Sequence, residues 1–454
     1  MRRAALVGVT ALVVAAAGAG AADVSQLANP HPCPQASGFT CSTLRVPLDR
    51  GGRVGGTLDL EVAVADNRNA PRGVLLFLTG GPGQPGTPAI PRIAQRLASV
   101  LREYRLVMID QRGTGGTAID CPRLQAQVGT SDIAAPTSAA VRDCAGRLGN
   151  RRSDYTTADT VADLDALRRA LHADRWTIDG VSYGTFVAER YAVAHPRAVR
   201  ALVLDSVVPH VDPQVDVALY LVGLRATARV LRRSCAELGC GYDPAADVNW
   251  LVRHGVNGVK LFDTIVTYEF VDPSYADLLA VIHAARLGGR ADLDLLIAQM
   301  HRASAAPADE FSSGLHAATL CADLRFPWGA ARALAQRRRL LERRIRQLSE
   351  RAAWPYDRAT AAENGFITTC LNWPATAAAP SPPAGQKLPP VPTLLVNGEH
   401  DLSTPLEWAR EEARLAPRGT LVVVPGASHS IQNREQGEAG RKGVEAFLLG
   451  PETA

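Results

Sequence analysis

The stretch Gly180-Val181-Ser182-Tyr183-Gly184 places one serine between two glycines, at the junction of a predicted strand and a predicted helix. Residues 175–179 (Arg-Trp-Thr-Ile-Asp) are typical of a short strand, and residues 185–195 are typical of a helix. A turn this sharp needs small flanking residues and leaves the serine hydroxyl exposed above the sheet edge. The stretch therefore predicts a nucleophile elbow with Ser182 as the nucleophile.

Two polar groups downstream are candidates for the acid and the base that a serine nucleophile needs. Residues 391–397 form a buried-strand pattern followed by Asp401, and residues 420–424 form another followed by His429. Open α/β sheets build their sites beyond the carboxyl ends of strands, so both side chains should meet the serine there. Asp401 would orient His429, which would take the serine proton and return it to the leaving group. The alternative is that Asp401 only caps the following helix and that His429 is an ordinary loop histidine.

A glycine-rich loop is a candidate oxyanion hole. An apolar strand over residues 73–78 runs into Thr79-Gly80-Gly81-Pro82-Gly83. Acyl transfer puts negative charge on the former carbonyl oxygen, and fixed backbone N–H groups stabilise that charge. We predict one donor on Tyr183, after the nucleophile, and the other on Gly81, because Pro82 has no N–H. The alternative is a plain tight turn.

The patterns along the chain predict an α/β fold, a mostly parallel sheet with helices on both faces and an inserted helical cap. A lead-in over residues 23–40 precedes a predicted hairpin between residues 44 and 64, and strands and helices then alternate to residue 205. We predict a core over residues 23–206 and 386–454. The cap is predicted over residues 207–385, with helices at 217–231, 275–285, 293–303 and 330–348 and a Pro-rich linker at 377–385.

Composition is that of a soluble globular protein, with 46% hydrophobic and 21% charged residues among 454. The formal net charge of +4 is slight for this length and does not indicate nucleic-acid binding. The one basic run, residues 337–346, has apolar residues at helical spacing. It predicts a solvated helix face rather than a phosphate-binding patch.

Three glycine-containing motifs together resemble the proline iminopeptidase branch of the α/β-hydrolases: Gly80-Gly81-Pro82-Gly83, Asp110-Gln111-Arg112-Gly113-Thr114-Gly115 and the serine stretch. More narrowly, Cys321-Ala322-Asp323 and Cys370-Leu371-Asn372-Trp373-Pro374 are similar to motifs of secreted bacterial tripeptidyl aminopeptidase-like proteins. One departure is Leu78-Thr79, where the iminopeptidases have histidine and the tripeptidyl group usually has Asn-Pro. The resemblance runs from about residue 40 onward, and it implies exopeptidase action at a free N-terminus.

The N-terminus predicts export. Arg2 and Arg3 precede an apolar run over residues 4–19, and small residues follow, so we predict a signal peptide over residues 1–22. The paired arginines leave a twin-arginine export route open. The alternative is a retained membrane anchor, although the run is short for a membrane span. We therefore expect a secreted or cell-envelope protein without a stable membrane span.

Eight cysteines in an exported chain suggest four disulfides. Their spacing is not that of a zinc finger, so metal binding is not expected. Proximity in sequence suggests the pairs Cys33–Cys41, Cys121–Cys144, Cys235–Cys240 and Cys321–Cys370. The pair Cys321–Cys370 would close a long loop and brace the cap near the site.

The cap is expected to decide specificity. An aminopeptidase must recognise a protonated amine, which in a partly dry pocket requires one or more carboxylates. Glu269 and Asp323 are the candidates, and a surface carboxylate or a helix cap is the alternative for each. Trp373 is predicted to pack the cap against the core rather than to line the pocket.

The sequence therefore predicts an exported, monomeric serine hydrolase that uses no metal or organic cofactor and acts on peptides with a free N-terminus. Within enzymes, the alternative is a carboxylesterase or lipid hydrolase with the same triad. A different class is an inactive hydrolase-fold protein that only binds its ligand.

Overall fold

The structure, a computed structural model, describes residues 26–211, 217–376 and 379–453. The predicted signal peptide and residues 377–378 of the predicted linker lie outside these ranges. The strands are β1 (Leu27–Pro32), β2 (Phe39–Pro47), β3 (Thr57–Ala65), β4 (Val74–Leu78), β5 (Arg105–Ile109), β6 (Trp176–Val181), β7 (Val199–Asp205), β8 (Thr393–Gly398) and β9 (Gly419–Val424).

The α-helices alternate with the later strands and then follow one another between β7 and β8. They are α1 (Ile90–Arg96), α2 (Pro122–Val128), α3 (Ser138–Leu148), α4 (Thr157–Ala170), α5 (Tyr183–Ala194), α6 (Leu221–Leu238), α7 (Pro244–Arg253), α8 (Gly258–Tyr268), α9 (Ala276–Arg286), α10 (Arg290–Ala303), α11 (Ser313–Asp323), α12 (Leu334–Gln347), α13 (Arg358–Glu363), α14 (Gly365–Asn372), α15 (Leu406–Leu415), α16 (Ile431–Arg434) and α17 (Ala439–Leu449).

The strands form one sheet in the order β1-β2-β3-β5-β4-β6-β7-β8-β9. The predicted hairpin is present, because β2 and β3 pair antiparallel from Phe39 opposite Ala65 to Pro47 opposite Thr57. The predicted lead-in also contains a strand, since β1 pairs antiparallel with β2. From β5 to β9 all neighbouring strands are parallel. This is the mostly parallel sheet that the sequence predicts.

The central strands are buried because helices cover both faces of the sheet. Every residue of β4, β6 and β8 is buried, as expected for parallel strands that are covered on both faces. One face packs on Leu164 of α4, Val187 of α5 and Leu406 of α15. The other face packs on Ile93 of α1 and Leu448 of α17.

The described segment between β7 and β8 is helical and has a hydrophobic core of its own. Leu224 of α6, Phe262 of α8 and Ile282 of α9 lie in that core. Helices α6, α9, α10 and α12 correspond to the four predicted helices, within about seven residues at their ends. The boundaries of the cap, residues 207 and 385, stay predictions.

Helices α2 and α3 join this layer although they belong to the connection between β5 and β6. They pack against α11 and α14. Their cluster includes Cys121, Cys144 and Trp373, and Trp373 is only 2% exposed. Trp373 therefore packs in the interior, as the sequence predicts.

All four predicted cysteine pairs lie at disulfide distance. Their Cα atoms are 4.8, 5.1, 5.3 and 5.1 Å apart in chain order. The pair Cys321–Cys370 joins α11 to α14.

The basic run lies on α12 and is mostly exposed, with one exception. Arg337 is buried, and one of its terminal nitrogens donates to the carbonyl oxygens of Cys370 at 3.2 Å and Trp373 at 2.7 Å. This arginine therefore satisfies carbonyl groups at the end of α14. Within the three described ranges, no helix combines the length and the apolar character that crossing a membrane requires.

Candidate active site

Ser182 lies on a strained turn between β6 and α5. Its φ of 59° and ψ of −127° are outside the regions that a non-glycine residue normally adopts. A Cβ atom on Gly180 would come within 2.4 Å of the Gly184 carbonyl oxygen, and one on Gly184 within 2.4 Å of the Leu78 carbonyl oxygen. Both positions therefore require glycine, which is why the motif brackets the serine as it does.

Asp401 and His429 come together beyond the ends of β8 and β9. The Nδ1 atom of His429 lies 3.1 Å from each carboxylate oxygen of Asp401. Asp401 is fully buried, and its carboxylate also accepts the Thr404 backbone N–H at 2.7 Å and the Thr404 hydroxyl at 2.8 Å. The aspartate thus caps the turn at Thr404 and also binds the histidine, so the alternatives left open by the sequence are not exclusive.

The surroundings of His429 favour its charged form. Burial alone lowers the pKa of His429. The charge of Asp401 and its hydrogen bond together raise that pKa by more than burial lowers it, so the pKa of His429 lies above its usual value. The Phe270 ring meets the imidazole edge to face, with ring centres 5.8 Å apart. The histidine ring is thereby held between the acid and an aromatic residue of the cap.

The glycine loop after β4 lies against the elbow, because β4 and β6 are neighbours and Leu78 pairs with Gly180. A Cβ on Gly80 would come within 2.9 Å of the Ser182 Cβ, so only glycine allows this approach. The N-terminal part of helix α11 and the residue before it contact this loop. The Gly83 carbonyl accepts the Ser312 backbone N–H at 3.0 Å, and the Pro82 carbonyl lies 3.1 Å from His316 Nδ1.

Arg112, in the motif Asp110-Gln111-Arg112-Gly113-Thr114-Gly115, connects separate elements of the core. Arg112 is 1% exposed and makes two hydrogen bonds of 2.7 Å with the Asp163 carboxylate. It also donates to the carbonyl oxygens of Leu48 and Asp154. The arginine therefore ties the end of β5 to α4 and β2.

One cavity of about 440 Å³ joins these elements. Its lining includes the candidate nucleophile and base, Ser182 and His429, and the predicted oxyanion residues Gly81 and Tyr183. The structure thus brings these four predicted site residues to one cavity, with Asp401 bonded behind the histidine. Apolar side chains from the helical layer cover the opposite side: Val266, Phe270, Phe311, Leu324 and Phe366.

Glu269 contacts the acid loop and is not among the residues that line the cavity. It is 1% exposed, and its carboxylate accepts the backbone N–H groups of Leu402 at 2.8 Å and Ser403 at 3.0 Å, as well as the Ser403 hydroxyl. Burial, and then the charge of Asp401, raise the pKa of Glu269, whereas the charge of His429 and the hydrogen bonds from Ser403 and Leu402 lower it. Its position differs from that of a carboxylate facing substrate.

Asp323 also lies outside the cavity lining. Its carboxylate accepts the backbone N–H and hydroxyl of Thr157, the first residue of α4, and that hydroxyl lies 2.6 Å from the Tyr183 hydroxyl. Burial raises the pKa of Asp323 to about 6. These contacts are those of the helix cap that the sequence left open as the alternative.

Two other carboxylates, Asp132 and Asp263, do line the cavity. Asp263 projects from α8, is 8% exposed and accepts a hydrogen bond from the Ser131 hydroxyl. Burial raises its pKa to about 6. Asp132 lies in the loop between α2 and α3, 3.0 Å from His316 Nε2. One sequence signal could have identified Asp263, since it is the single charged residue in the mostly apolar stretch 261–266.

Among the described residues, four groups bring three potential metal ligands within 4.8 Å of one another. In one group, Glu269, Asp401 and His429, the ligand atoms take part in the hydrogen bonds given above. Another contains Cys41, which lies at disulfide distance from Cys33. The remaining two groups are Glu237, Glu399 and His400, which is partly exposed, and Glu189, His210 and Glu412, which is buried.

Comparison with known proteins supports the fold and the resemblance. Residues 73–256 match a family model described as alpha/beta hydrolase fold, and residues 355–454 match one described as TAP-like protein. Serine protease Hip1 of Mycobacterium tuberculosis is 27% identical over 442 residues, which span 87% of this chain and 82% of that protein. The tripeptidyl aminopeptidase of Streptomyces lividans is 26% identical over 419 residues, 82% of this chain and 74% of the relative.

A probable proline iminopeptidase of Streptomyces coelicolor is 35% identical over 149 residues, which span 33% of this chain and 36% of that protein. These matches confirm the resemblance to the proline iminopeptidase branch of the α/β-hydrolases and to the tripeptidyl aminopeptidase-like proteins. The chain has an α/β-hydrolase fold, with a mostly parallel sheet and a layer of helices beside the candidate site.

Proposed function

We propose that this chain is an exported serine aminopeptidase that releases short peptides, of the tripeptidyl type, from free N-termini. Two relatives that each match more than four fifths of this chain are named as a serine protease and a tripeptidyl aminopeptidase. The four cysteine pairs at disulfide distance support the export part of the proposal, because disulfides persist in oxidising compartments.

In the proposed mechanism, Ser182 attacks the scissile carbonyl while His429 takes its proton. The N–H groups of Gly81 and Tyr183 stabilise the oxyanion. His429 then gives the proton to the leaving amine, and water resolves the acyl-enzyme with the histidine again acting as base. Asp401 keeps the imidazole in the tautomer that has Nε2 free for the serine, and Thr404 fixes the carboxylate of Asp401 in turn.

The observation that carries the aminopeptidase assignment is the pair of carboxylates Asp132 and Asp263 in the cavity with Ser182. A buried carboxylate is costly unless it is paired, and the ammonium of a free N-terminus is a suitable partner. The proposal therefore assigns amine recognition to these two residues instead of Glu269 and Asp323. An esterase acting on neutral acyl groups has no use for negative charge at this place.

A panel of aminoacyl, dipeptidyl and tripeptidyl coumarin amides, assayed beside short-chain esters, tests the proposal. We expect the tripeptidyl amide to be hydrolysed fastest among the amides. Faster turnover of the esters than of every amide would favour the carboxylesterase or lipid hydrolase alternative. Failure of a fluorophosphonate probe to label the protein would favour the inactive binding protein.

Glu269 is proposed as a positioning residue that couples the helical layer to the catalytic acid. Negative charge on Glu269 raises the pKa of His429. Removing that charge by Glu269→Gln should lower the pKa of His429, so the acidic limb of the kcat/KM profile should move to lower pH. The optimum kcat should also fall, because the amide nitrogen cannot accept the Leu402 N–H.

The pH profile of Ser403→Ala provides the matched control for Glu269→Gln. This change removes one hydrogen bond to Glu269 but no charge, so kcat should fall while the acidic limb stays in place. If Glu269→Gln left both the limb and kcat as in the wild type, the positioning role would be rejected.

The proposed disulfide Cys321–Cys370 is expected to hold helix α11, which contacts the oxyanion loop, to α14. Mass mapping of non-reduced peptides from exported protein should recover the two cysteines in one linked pair. Replacing both by serine should lower the free energy of unfolding by about 2–5 kcal/mol, because the bond closes a long loop. Recovery of either cysteine as a free thiol would contradict this prediction.

A further inference from the structure

A second group of ionisable side chains is buried away from the cavity. It consists of Glu189 on α5, His210 in the segment after β7, and Glu412 on α15. All three residues have no exposed surface. One potential ligand atom from each lies within 4.8 Å of the others.

Hydrogen bonds satisfy only part of this group. His210 Nδ1 lies 2.7 Å from Glu412 Oε1, and the His210 backbone N–H donates to Glu412 Oε2 at 3.2 Å. Within the described part of the chain, both carboxylate oxygens of Glu189 and the Nε2 atom of His210 have no hydrogen-bond partner. Buried polar atoms are nearly always partnered in folded proteins, so a buried carboxylate without a partner on either oxygen requires a cause.

A proton alone does not resolve the cluster. Burial, and then the charge of Glu412, raise the pKa of Glu189 well above its usual value. Protonating Glu189 removes its charge but leaves its O–H without a hydrogen-bond acceptor among the described residues.

We propose that Glu189, His210 and Glu412 together bind a divalent transition-metal cation, with Zn²⁺ as the best match to one imidazole and two carboxylates. Zinc takes nitrogen and carboxylate oxygen ligands at about 2.0–2.2 Å. The imidazole ligand is Nδ1 of His210, the nitrogen that faces Glu412. The ligand atoms lie at most 4.8 Å apart, and the point between three atoms at that limit is about 2.8 Å from each, so ligand shifts of under about 1 Å bring them to zinc distance. The second oxygen of Glu189, which has no hydrogen-bond partner among the described residues, is available for the fourth position that a structural zinc site needs. Two ionised glutamates balance the charge of the cation.

The role of this ion is structural, because none of its three ligands lines the cavity. The ligands come from the helix that begins after Ser182, from the segment leaving β7, and from the helix that follows the acid loop. The ion would therefore fix the nucleophile helix against the helix behind Asp401. Cysteine and histidine spacing in the sequence gives no signal of it, since positions 189, 210 and 412 are brought together only by the fold.

Metal content and thermal stability of the tag-free full chain test this site. After dialysis against buffer containing equimolar Zn²⁺ and then metal-free buffer, we expect about one zinc per chain by plasma mass spectrometry. Prolonged chelation should remove the zinc and lower Tm by several degrees, and adding Zn²⁺ should restore it. Metal content and Tm are measured without catalysis, so they test the zinc site independently of the proposed peptidase activity.

Glu189→Gln, which keeps the side-chain volume, should reduce the bound zinc at least about tenfold and abolish the effect of the chelator on Tm. His283→Gln is the matched control, because it breaks another histidine–carboxylate pair, with Asp247 at 2.7 Å, that has no third potential ligand among the described residues. The control should keep its zinc. Wild-type protein that binds no stoichiometric zinc, and whose Tm responds neither to chelator nor to Zn²⁺, would overturn the proposal even if the variants fail to fold.

Discussion

Ser182→Ala and His429→Ala should each lower kcat on a peptide substrate by about six orders of magnitude, and Asp401→Asn by about four. The three residues are proposed to act as one unit, so removing any two should cost little more than removing Ser182 alone. The geometry behind this expectation is the elbow at Ser182 and the pair of 3.1 Å contacts between His429 Nδ1 and the Asp401 carboxylate.

The aspartate variant is the most informative of the three. Asparagine at 401 keeps the size of the side chain, but its amide nitrogen donates where the carboxylate accepts. This amide nitrogen can donate to Nδ1 of His429 only when the imidazole carries its proton on Nε2. A protonated Nε2 cannot accept the serine proton. The loss should therefore appear in kcat with little change in substrate binding.

Steady-state kinetics and labelling with a fluorophosphonate probe measure these losses. His254→Ala and Asp309→Asn are matched controls at exposed positions, and they should keep wild-type kcat and probe labelling. Wild-type kcat in Asp401→Asn would transfer the role of the acid to Glu269, the other buried carboxylate within 4.8 Å of the candidate pair. Retained labelling in Ser182→Ala would reject the proposed nucleophile itself.

The elbow and the strands around it could be predicted because local sequence determines them. Gly180 and Gly184 are required by close approaches of backbone atoms, and such requirements leave glycines in the sequence at fixed positions. The central strands are buried on both faces, so each is rich in apolar residues, and β4 is apolar throughout. The order of nucleophile, acid and histidine then follows from where those strands end.

The sequence could not show which carboxylates near the site face the cavity. Glu269 and Asp323 lie close to the candidate catalytic residues, but backbone N–H groups from distant segments occupy their oxygens. Asp132 lies outside the cap that the sequence predicts over residues 207–385, because the connection between β5 and β6 also contributes to the cavity. Burial and partners of this kind depend on tertiary packing, which periodicity does not report.

Acetylating the substrate's N-terminus should lower kcat/KM by at least about a hundredfold. Acetylation removes the ammonium charge and leaves the buried carboxylate of Asp263 without its charged partner. An uncompensated buried charge costs about 3–5 kcal/mol, and each step of about 1.4 kcal/mol is tenfold in kcat/KM. Free and N-acetylated forms of one tripeptidyl amide, compared at the same pH, measure this factor directly.

Substitution of the carboxylates should reproduce the loss on free-amine peptides and spare a small neutral ester. Asp263→Asn should have the larger effect, because Asp263 is more buried than Asp132, whose side chain is 34% exposed and has His316 as a partner. Glu269→Gln and Asp323→Asn serve as comparisons, since neither should change the ratio of acetylated to free peptide cleavage. The exposed Asp309→Asn controls for the loss of a negative charge elsewhere on the chain and should behave as the wild type.

The pH dependence gives a separate check with a defined sign. Burial raises the pKa of Asp263 to about 6, so below that pH the carboxyl becomes neutral and the substrate ammonium loses its partner. The ratio of kcat/KM for the free-amine peptide to kcat/KM for the ester should therefore fall as pH decreases through about 6. Titration of His429 affects both substrates and cancels in the ratio. Equal cleavage of acetylated and free peptides, or a ratio that stays constant with pH, would reject the aminopeptidase proposal and move the chain to the esterase or endopeptidase class.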